Sequence, residues 1–116
     1  MEIALSWFKV DDIEEAKKFY GVVLGLKKVF EMPGWAMFSH SDQGPSIGLS
    51  ADPRHNNQTG AVVVLRVDNI NSAKKELSRS GIEFESEEEV PGVVRLAMFR
   101  DNSGNQLQLM QRLIQG

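Results

Sequence analysis

The spacing of apolar residues along the chain changes from that of a strand to that of a helix and back again. Residues 3–10 (IALSWFKV) have the character of a strand. Asp12 and Glu15, which follow, have the spacing of an N-terminal capping box. Beyond them the apolar residues recur at helical spacing, at Ile13, Ala16, Tyr20 and Val23 or Leu24. The pattern therefore predicts a strand and then a helix that begins beside Asp12.

Three short strands are predicted after this helix. Gly21 and Gly25 supply stop signals, and residues 26–31, 34–39 and 46–50 then have strand character. The polar segment 51–60 (ADPRHNNQTG) is rich in turn-forming residues. The first half of the chain is thus predicted to be a βαβββ unit followed by a linker.

The second half repeats the first. VDDIEEAKKF at 10–19 aligns with VDNINSAKKE at 67–76, and AMFSHSDQG at 36–44 aligns with AMFRDNS and Gly104 if one gap is allowed. The elements predicted there are a strand at 61–67, a helix at 69–80, and strands at 82–86, 93–99 and 105–110. We therefore expect a single α+β domain of two modules, with module one at 1–50, a linker at 51–60 and module two at 61–113.

Composition narrows the class of protein. The 116 residues include 13 Lys and Arg against 16 Asp and Glu, a net charge of −3, so no basic field attracts nucleic acid or an anionic membrane. The absence of cysteine excludes disulfides, thiolate metal sites and cysteine nucleophiles. No leader and no apolar run of the ~20 residues that a spanning helix needs is present. We expect a soluble, cytoplasmic protein that partners neither nucleic acid nor membrane.

The motifs of both halves resemble those of the vicinal oxygen chelate superfamily, which includes glyoxalases, bleomycin resistance proteins and extradiol dioxygenases. The first motif is V-x-D-x-x-x-A-x-x-F-Y followed by LGL, carried by Val10, Asp12, Ala16, Phe19 and Tyr20. The closing stretch FRDNSGNQLQL is similar to the family's D-P-x-G-N-x-x-E-L, matching at Asp101, Gly104, Asn105 and Leu109. Asn102 replaces the usual proline. The resemblance covers nearly the whole chain.

The resemblance implies a fold and a place for a metal. Two βαβββ modules of this family form a curved, partly open mixed β-barrel with helices outside, whose concave face holds the ligand. Family enzymes place a divalent metal there, at positions that align with Leu5, Gly48, Val62 and Gln108 in this chain. Only the amide oxygen of Gln108 can coordinate a cation, so an ion would lose hydration without compensating charge, at a cost of at least several kcal/mol. We expect no metal and no other cofactor.

The ligand of a metal-free relative would lie on the concave face. Taking the aligned metal positions as the inward phase of each strand, and leaving the phase of strands 34–39 and 93–99 open, we obtain the candidate ligand-binding residues. They are Leu5, Trp7, Lys9, Trp35, Met37, Ser46, Gly48, Val62, Arg66, Met98, Gln108 and Met110. Trp7 is the strongest candidate for stacking on a planar ligand, and packing in a core is its alternative role. Met37 and Met98 occupy equivalent positions in the two halves, and their flexible thioethers suit an adaptable apolar pocket, although packing in a core is the more common use of Met.

Two functions remain open at this stage. The resemblance to bleomycin resistance proteins implies a metal-free protein that binds a planar or apolar small molecule, such as an antibiotic-like compound or a metabolite. The alternative is a glyoxalase-like lyase or isomerase, or a dioxygenase-related enzyme, with a non-standard or absent metal site and no assigned catalytic residue. The resemblance also implies a homodimer.

Three further patterns are given structural interpretations. GPSIG at 44–48 matches a nucleophile elbow, but no helix is predicted after it. His40 and His55 fall in predicted loops, where we expect solvated turn residues rather than ligands or a base. The acidic run EFESEEE at 83–89 is typical of a solvated strand edge and loop.

Overall fold

The computed structural model describes residues 1–114 and divides them into two compact units. The first unit is Leu5–Ala61, and the second combines Met1–Ala4 with the residues from Val62 onward. Each unit contains one βαβββ module, so the predicted α+β fold of two repeated modules is confirmed. Within the described residues, no helix has the length and apolar character needed to cross a bilayer.

The first module contains one helical segment and four strands. Its elements in chain order are β1 (Glu2–Lys9), α1 (Ile13–Lys18) with a π-helical extension (Phe19–Val23), β2 (Lys27–Met32), β3 (Trp35–Ser39) and β4 (Ser46–Ser50). The strands lie in the order β2-β3-β4-β1, in which β1 and β4 are parallel and the other pairs are antiparallel. A short 3₁₀-helix, Pro53–His55, follows β4.

The second module repeats this plan. Its elements are β5 (Val62–Arg66), α2 (Ile70–Arg79), β6 (Ser86–Val90), β7 (Val94–Arg100) and β8 (Gln106–Arg112). The strands lie in the order β5-β8-β7-β6, and β5 pairs with β8 in parallel as β1 pairs with β4. The duplicated sequence thus produces duplicated topology.

Both helices begin at the residues that the sequence indicates. The Asp12 carboxylate accepts hydrogen bonds from the backbone N–H groups of Glu14 and Glu15 at 3.0 and 3.1 Å. Asn69 caps α2 by accepting from the N–H of Ser72 at 3.0 Å. These bonds satisfy donors that have no partner inside a helix, which is why short polar residues occupy both N-caps.

The end of the first helix departs from its predicted form. The N–H of Leu24 bonds the carbonyl of Phe19 at 2.9 Å, five residues back, so the helix widens into a π-turn. This turn changes the phase of the side chains. Tyr20 packs against the core as predicted, whereas Val23 and Leu24, one of which was expected to point inward, are both exposed.

The second strand of the second half is displaced from its predicted position. Residues 82–86 were expected to form it, but the strand is Ser86–Val90, within the acidic run. Ile82 and Phe84 instead pack against the core beneath α2. The Glu-rich segment forms a strand because pairing with β7 outweighs the low strand propensity of Glu. The strand β6 lies at the edge of its sheet, where Glu87 and Glu89 are exposed.

Each helix packs against one face of its own module's sheet. In the first unit the buried centre is Ala36, Phe38 and Leu49, surrounded by Phe8, Val10, Ile13, Ala16, Tyr20, Leu26 and Ile47. In the second unit it is Ile70, Ala97, Phe99 and Leu109, with partly buried neighbours from α2 and the adjoining segments. Because successive strand residues point to opposite faces, the residues between these positions belong to the other face of each sheet.

The closing motif of the sequence builds the turn before β8. The Asp101 carboxylate accepts hydrogen bonds from the N–H groups of Ser103 and Asn105 at 2.8 and 2.9 Å and from the Asn105 side-chain amide at 2.9 Å. The Asn105 amide, followed by the backbone donors, lowers the pKa of Asp101 below its usual value. The motif residues therefore hold a turn, and β8 begins directly after it.

Candidate ligand-binding face

In the first unit, the sheet face that turns away from α1 carries two tryptophans. We call this surface, formed by β1, β2, β3 and β4, the aromatic face. Its central row is set by the strand register, in which Trp7 and Met37 both lie opposite Gly48. Trp35 lies opposite Ser50 in the next row. The phase that the sequence left open is thereby fixed, since Trp35 and Met37 lie on the face opposite the Ala36 and Phe38 of the core.

The ring of Trp35 lies across Gly48. A Cβ atom at position 48 would come within 2.3 Å of Cη2 and 2.7 Å of Cζ2 of Trp35, and within 3.0 Å of Cβ of Trp7. The two indole rings meet edge to face, with centroids 6.3 Å apart at 70°. Glycine is therefore required at position 48 for space, because it lets the Trp35 ring lie directly on the backbone of β4 beside Trp7.

Trp7 is more deeply placed than a stacking surface would be. The residue is only 4 % exposed, while Trp35 and Met37 are partly exposed. The sequence singled out Trp7 as the strongest candidate for stacking on a ligand. Its burial instead makes Trp7 a packing partner of Trp35. The accessible part of the aromatic face is accordingly the Trp35 ring and its neighbours.

His55 is a residue of this face that the sequence did not select. Its ring lies 4.8 Å from that of Trp7 at 42°, and its Nδ1 lies 2.8 Å from the hydroxyl of Ser50. The expectation of a solvated turn residue is wrong, since the imidazole is partly buried. His40, the other histidine, is exposed as expected. No periodic pattern marks His55, because it reaches the face from a 3₁₀-turn rather than from a strand.

The turn that carries His55 is fixed by local hydrogen bonds. The Ser50 hydroxyl, 1 % exposed as a residue, accepts from the N–H of Asp52 at 3.3 Å while contacting the imidazole. Asp52 caps the 3₁₀-helix by accepting from the N–H of Arg54 at 2.9 Å and also pairs with its guanidinium at 2.7 Å. Hydrogen bonding from Arg54 lowers the pKa of Asp52 to about 2. The imidazole is thus oriented by a buried hydroxyl and a rigid turn.

The remaining candidates of the first unit lie on β1 and β4. Leu5 is buried, and Ser46 lies opposite it in the parallel register. Lys9 lies opposite Ser50 and forms an ion pair with Asp11. Hydrogen bonding from Lys9 lowers the pKa of the Asp11 carboxyl. Lys9 is therefore the strand residue that brings positive charge to the end of the aromatic face near His55.

The second unit has a corresponding face of different character. Gln108 lies between Val64 on β5 and Met98 on β7 in the register, and the residue is only 6 % exposed. Val62 is buried, and Met110 lies opposite Leu96. Arg66, at the end of β5, is exposed and pairs with Glu2. This face is aliphatic with one buried amide, and it holds no aromatic ring on its strands.

Neither unit provides the donor set that a divalent metal requires. In the first unit, Leu5 has no lone pair and the space at Gly48 is filled by the Trp35 ring. In the second, Val62 has no donor and Gln108 supplies one neutral amide. Among residues 1–114, no group of three or more His, Asp or Glu side chains is arranged to hold a metal ion. The residues present do not fit a metal.

The aromatic face can bind by stacking and by hydrogen bonding. The exposed part of an indole and the thioether of Met37 favour contact with a flat apolar group. The imidazole and the Lys9 ammonium offer donors at one end. A surface with these features is typical of a ligand site with an apolar centre and a few placed polar groups.

Comparison with known proteins agrees with this fold. Residues 6–109 match the family described as the Glyoxalase/Bleomycin resistance protein/Dioxygenase superfamily. A hypothetical protein from Bacillus halodurans C-125 is 16% identical and superimposes with a TM-score of 0.77, covering 99% of this chain and 96% of that one. Methylmalonyl-CoA epimerase from Mycobacterium tuberculosis is 18% identical with a TM-score of 0.75, covering 96% and 87%. At these identities the likeness concerns the fold alone. A search of curated proteins finds no match to the sequence.

Proposed function

Because the chain belongs to the glyoxalase/bleomycin resistance protein/dioxygenase superfamily, we propose that it is a metal-free member that binds a planar, apolar small molecule on its aromatic face. The observation that carries this proposal is the Trp35 ring seated on Gly48 beside Trp7. In this chain an aromatic surface takes the place where family enzymes hold a side-chain metal ligand.

The geometry favours a flat ligand over a bulky one. Trp35 is held on one side by the backbone of β4 and at its edge by Trp7, so its orientation is set before any ligand arrives. A preoriented ring loses little conformational freedom on binding, which raises affinity for a ligand of complementary shape. Met37, in the adjoining row, is flexible enough to adjust to the outline of that ligand.

The four positions that align with metal ligands support the metal-free part of the proposal. Their side chains are apolar at Leu5 and Val62, absent at Gly48 and neutral at Gln108. A cation placed among such groups would keep an uncompensated desolvation cost. Chemistry that depends on a Lewis acid is therefore not assigned to this chain.

Tryptophan fluorescence provides the test, because both tryptophans of the chain lie on the aromatic face. Titration with a panel of planar apolar compounds is expected to change the emission saturably for at least one of them. Trp35→Ala is expected to weaken the binding of that compound at least about tenfold, as measured by calorimetry, because it removes the stacking surface. Phe19→Ala, which removes an exposed aromatic ring from the helical extension after α1, away from the aromatic face, is the matched control.

Elemental analysis tests the metal-free part. Protein purified without a metal-affinity step is expected to contain less than one equivalent of Mn, Fe, Co, Ni or Zn, and none of these ions is expected to raise its thermal midpoint. Stoichiometric tight metal would refute this half of the proposal. A panel of planar compounds that leaves both fluorescence and thermal midpoint unchanged would refute the other half.

A metal-free lyase or isomerase is the second candidate, and one observation favours it. The imidazole of His55 is oriented through its Nδ1 by Ser50, as a general base must be held in position. Conversion of a bound planar compound by the wild type, lost in His55→Gln with binding retained, would move the assignment from binding protein to enzyme.

A further inference from the structure

We infer that the ligand of the aromatic face carries an acidic group, so that the protein selects planar carboxylates or similar anions over their neutral counterparts. This inference rests on the proposed function. It adds the chemical class of the ligand, and it is carried by the charges that surround the aromatic face.

The ionisable side chains on this face are all basic. Within the first unit, whose residues are all described, the strand positions facing away from α1 carry Lys9 on β1 and Lys27 on β2, and His55 joins them from its turn. Lys27 belongs to the face because it lies opposite Ser39, whose neighbour Phe38 is in the core beneath the helix. Opposite residues in a sheet point to the same side.

The acidic residues of the first unit lie elsewhere. In the strands of this unit, which are β2, β3, β4 and residues 5–9 of β1, Glu31 is the one acidic residue. It lies opposite Ala36 on the side of the sheet that faces the helix, and its carboxylate is 3.6 Å from the Lys17 ammonium of α1. The others are in turns or in α1. A cationic ligand would therefore find no carboxylate among the strand residues of this face. An anionic ligand on Trp35 would find the Lys9 ammonium and the His55 imidazole at the same end of the sheet, since both adjoin Ser50.

The counter-ions of the two lysines are exposed. Asp11, which pairs with Lys9, has a side chain that is 91 % exposed, and Asp42 lies 2.6 Å from Lys27 at the surface. Exposed ion pairs are weak because water screens them. A ligand carboxylate bound beside the apolar surface of Trp35 would be better shielded from water, so it can compete with Asp11 for the Lys9 ammonium.

His55 is the group closest to the aromatic rings. With Nδ1 accepting a hydrogen bond from the Ser50 hydroxyl, the imidazole carries its proton on Nε2. An imidazole N–H is a donor suited to an oxygen acceptor. The Asp52 carboxylate on the same turn is paired with Arg54, so it adds little net negative charge beside the imidazole.

Electrostatics of the whole chain do not explain such a preference. The net charge of −3 repels anions at long range. Selectivity for an anion would therefore have to come from the local arrangement of Lys9 and His55. Removing either group is then expected to change the ratio between the affinity for an anionic ligand and the affinity for its neutral counterpart, rather than the affinity for every ligand.

Calorimetric titration of the full chain with 2-naphthoate and with 2-naphthamide tests the inference at neutral pH. The two probes share a planar bicyclic ring and differ in one ionised group. We expect the wild type to bind the carboxylate about tenfold more tightly, as one hydrogen bond to a charged group would give. Lys9→Gln and His55→Gln are expected to reduce that ratio severalfold. Lys18→Gln, which removes the same charge from the exposed side of α1, is expected to leave it unchanged.

The outcomes separate this inference from the proposed function. Equal affinities for the two probes, or a preference that Lys9→Gln and His55→Gln do not alter, would overturn the anion selectivity and leave the aromatic site standing. Failure of both probes to bind would overturn the selectivity, while the wider panel of planar compounds decides the proposed function. If His55→Gln proves unstable by its thermal midpoint, Lys9→Gln, at the end of β1, decides whether the anion selectivity stands.

Discussion

Replacement of Gly48 by alanine tests the feature on which the site is built. The added Cβ would lie 2.3 Å from Cη2 and 2.7 Å from Cζ2 of Trp35, both far inside van der Waals contact. It would also lie 3.0 Å from Cβ of Trp7, an atom that is tied to the backbone of β1. The Trp35 ring must therefore leave its seat on β4 in the variant.

The magnitude follows from two opposing effects. Overpacking of this kind costs about 1–3 kcal/mol. Glycine to alanine also reduces the conformational entropy of the unfolded chain, which stabilises the protein by about 0.4–1 kcal/mol. We expect Gly48→Ala to lower the free energy of unfolding by about 1–2 kcal/mol in urea, measured by far-ultraviolet circular dichroism.

A double-mutant cycle isolates the contact with Trp35. In the Trp35→Ala background the two closest contacts are gone, so Gly48→Ala is expected to be within about 0.5 kcal/mol of neutral. The remaining contact with Trp7 can relax by a few tenths of an ångström. The coupling between the two substitutions should then be about 1–2 kcal/mol. Gly21→Ala, whose Cβ would lie 3.3 Å from the Phe38 ring, is a control at a milder contact.

Equal destabilisation by Gly48→Ala in the presence and absence of Trp35 would refute the reasoning. It would show that the cost arises from the strand backbone or from Trp7, and the Trp35 ring would then not be seated on Gly48. An unchanged near-ultraviolet dichroism spectrum of Gly48→Ala, which reports on the packing of the two indoles, would contradict it independently.

Three further predictions concern charge and capping. Because Arg54 lowers the pKa of Asp52 from 3.8 to about 2 in the folded chain, the stabilisation is present above pH 3.8 and is lost as the pH falls toward 2; Asp52→Asn should remove that part of the acid sensitivity of urea unfolding. Gln108→Glu should destabilise the chain by about 2–4 kcal/mol at neutral pH and by less near pH 4, where protonation of the buried carboxyl relieves the cost; an equal loss at both pH values in urea titrations would argue against it. Asp12→Ala should cost about 1 kcal/mol in thermal or urea unfolding by removing the cap of α1, while Asp12→Asn should cost less because it keeps an acceptor oxygen.

The repeated order of elements could be predicted from the sequence because it rests on local signals. Asp12 and Asn69 mark the helix starts in both halves, and each acts as the N-cap that its position indicates. The phases of β1, β4 and β8 come from the positions that align with the family's metal ligands, Leu5, Gly48 and Gln108, and alternation extends each phase along its strand. Two copies of one pattern reinforce each other, which is why the module plan is confirmed.

The errors arise where tertiary contacts outweigh local preference. Strand β6 was expected at 82–86, where apolar residues alternate, but Ile82 and Phe84 are used by the core beneath α2 and the Glu-rich segment takes the strand. The π-turn at Phe19–Val23 adds one residue to a helical turn, so a strict 3.6-residue period assigns Val23 or Leu24 to the wrong side. Neither feature has a marker in residue type.

The candidate site was only partly accessible to sequence reasoning. Trp7 and Gly48 could be placed on one face by alternation, but the seating of Trp35 on Gly48 depends on the register between β3 and β4. His55 could not be found, because a turn has no periodicity that shows where its side chains point. Its contact with Trp7 is a product of the short turn after Ser50.

The turn after β4 also determines where the chain tolerates inserted sequence. Four residues separate Ser50 from His55, and the contact between the Ser50 hydroxyl and the imidazole depends on that count. A tag or reporter peptide introduced between Ala51 and Arg54 would withdraw the imidazole from the tryptophans. The same peptide after Thr59, which is exposed and lies beyond the Gln58 N–H that bonds the His55 carbonyl, would leave it in place. A reporter grafted at the second position would thus sit a few residues from the aromatic rings without disturbing them, which makes this loop a practical attachment point for a biosensor.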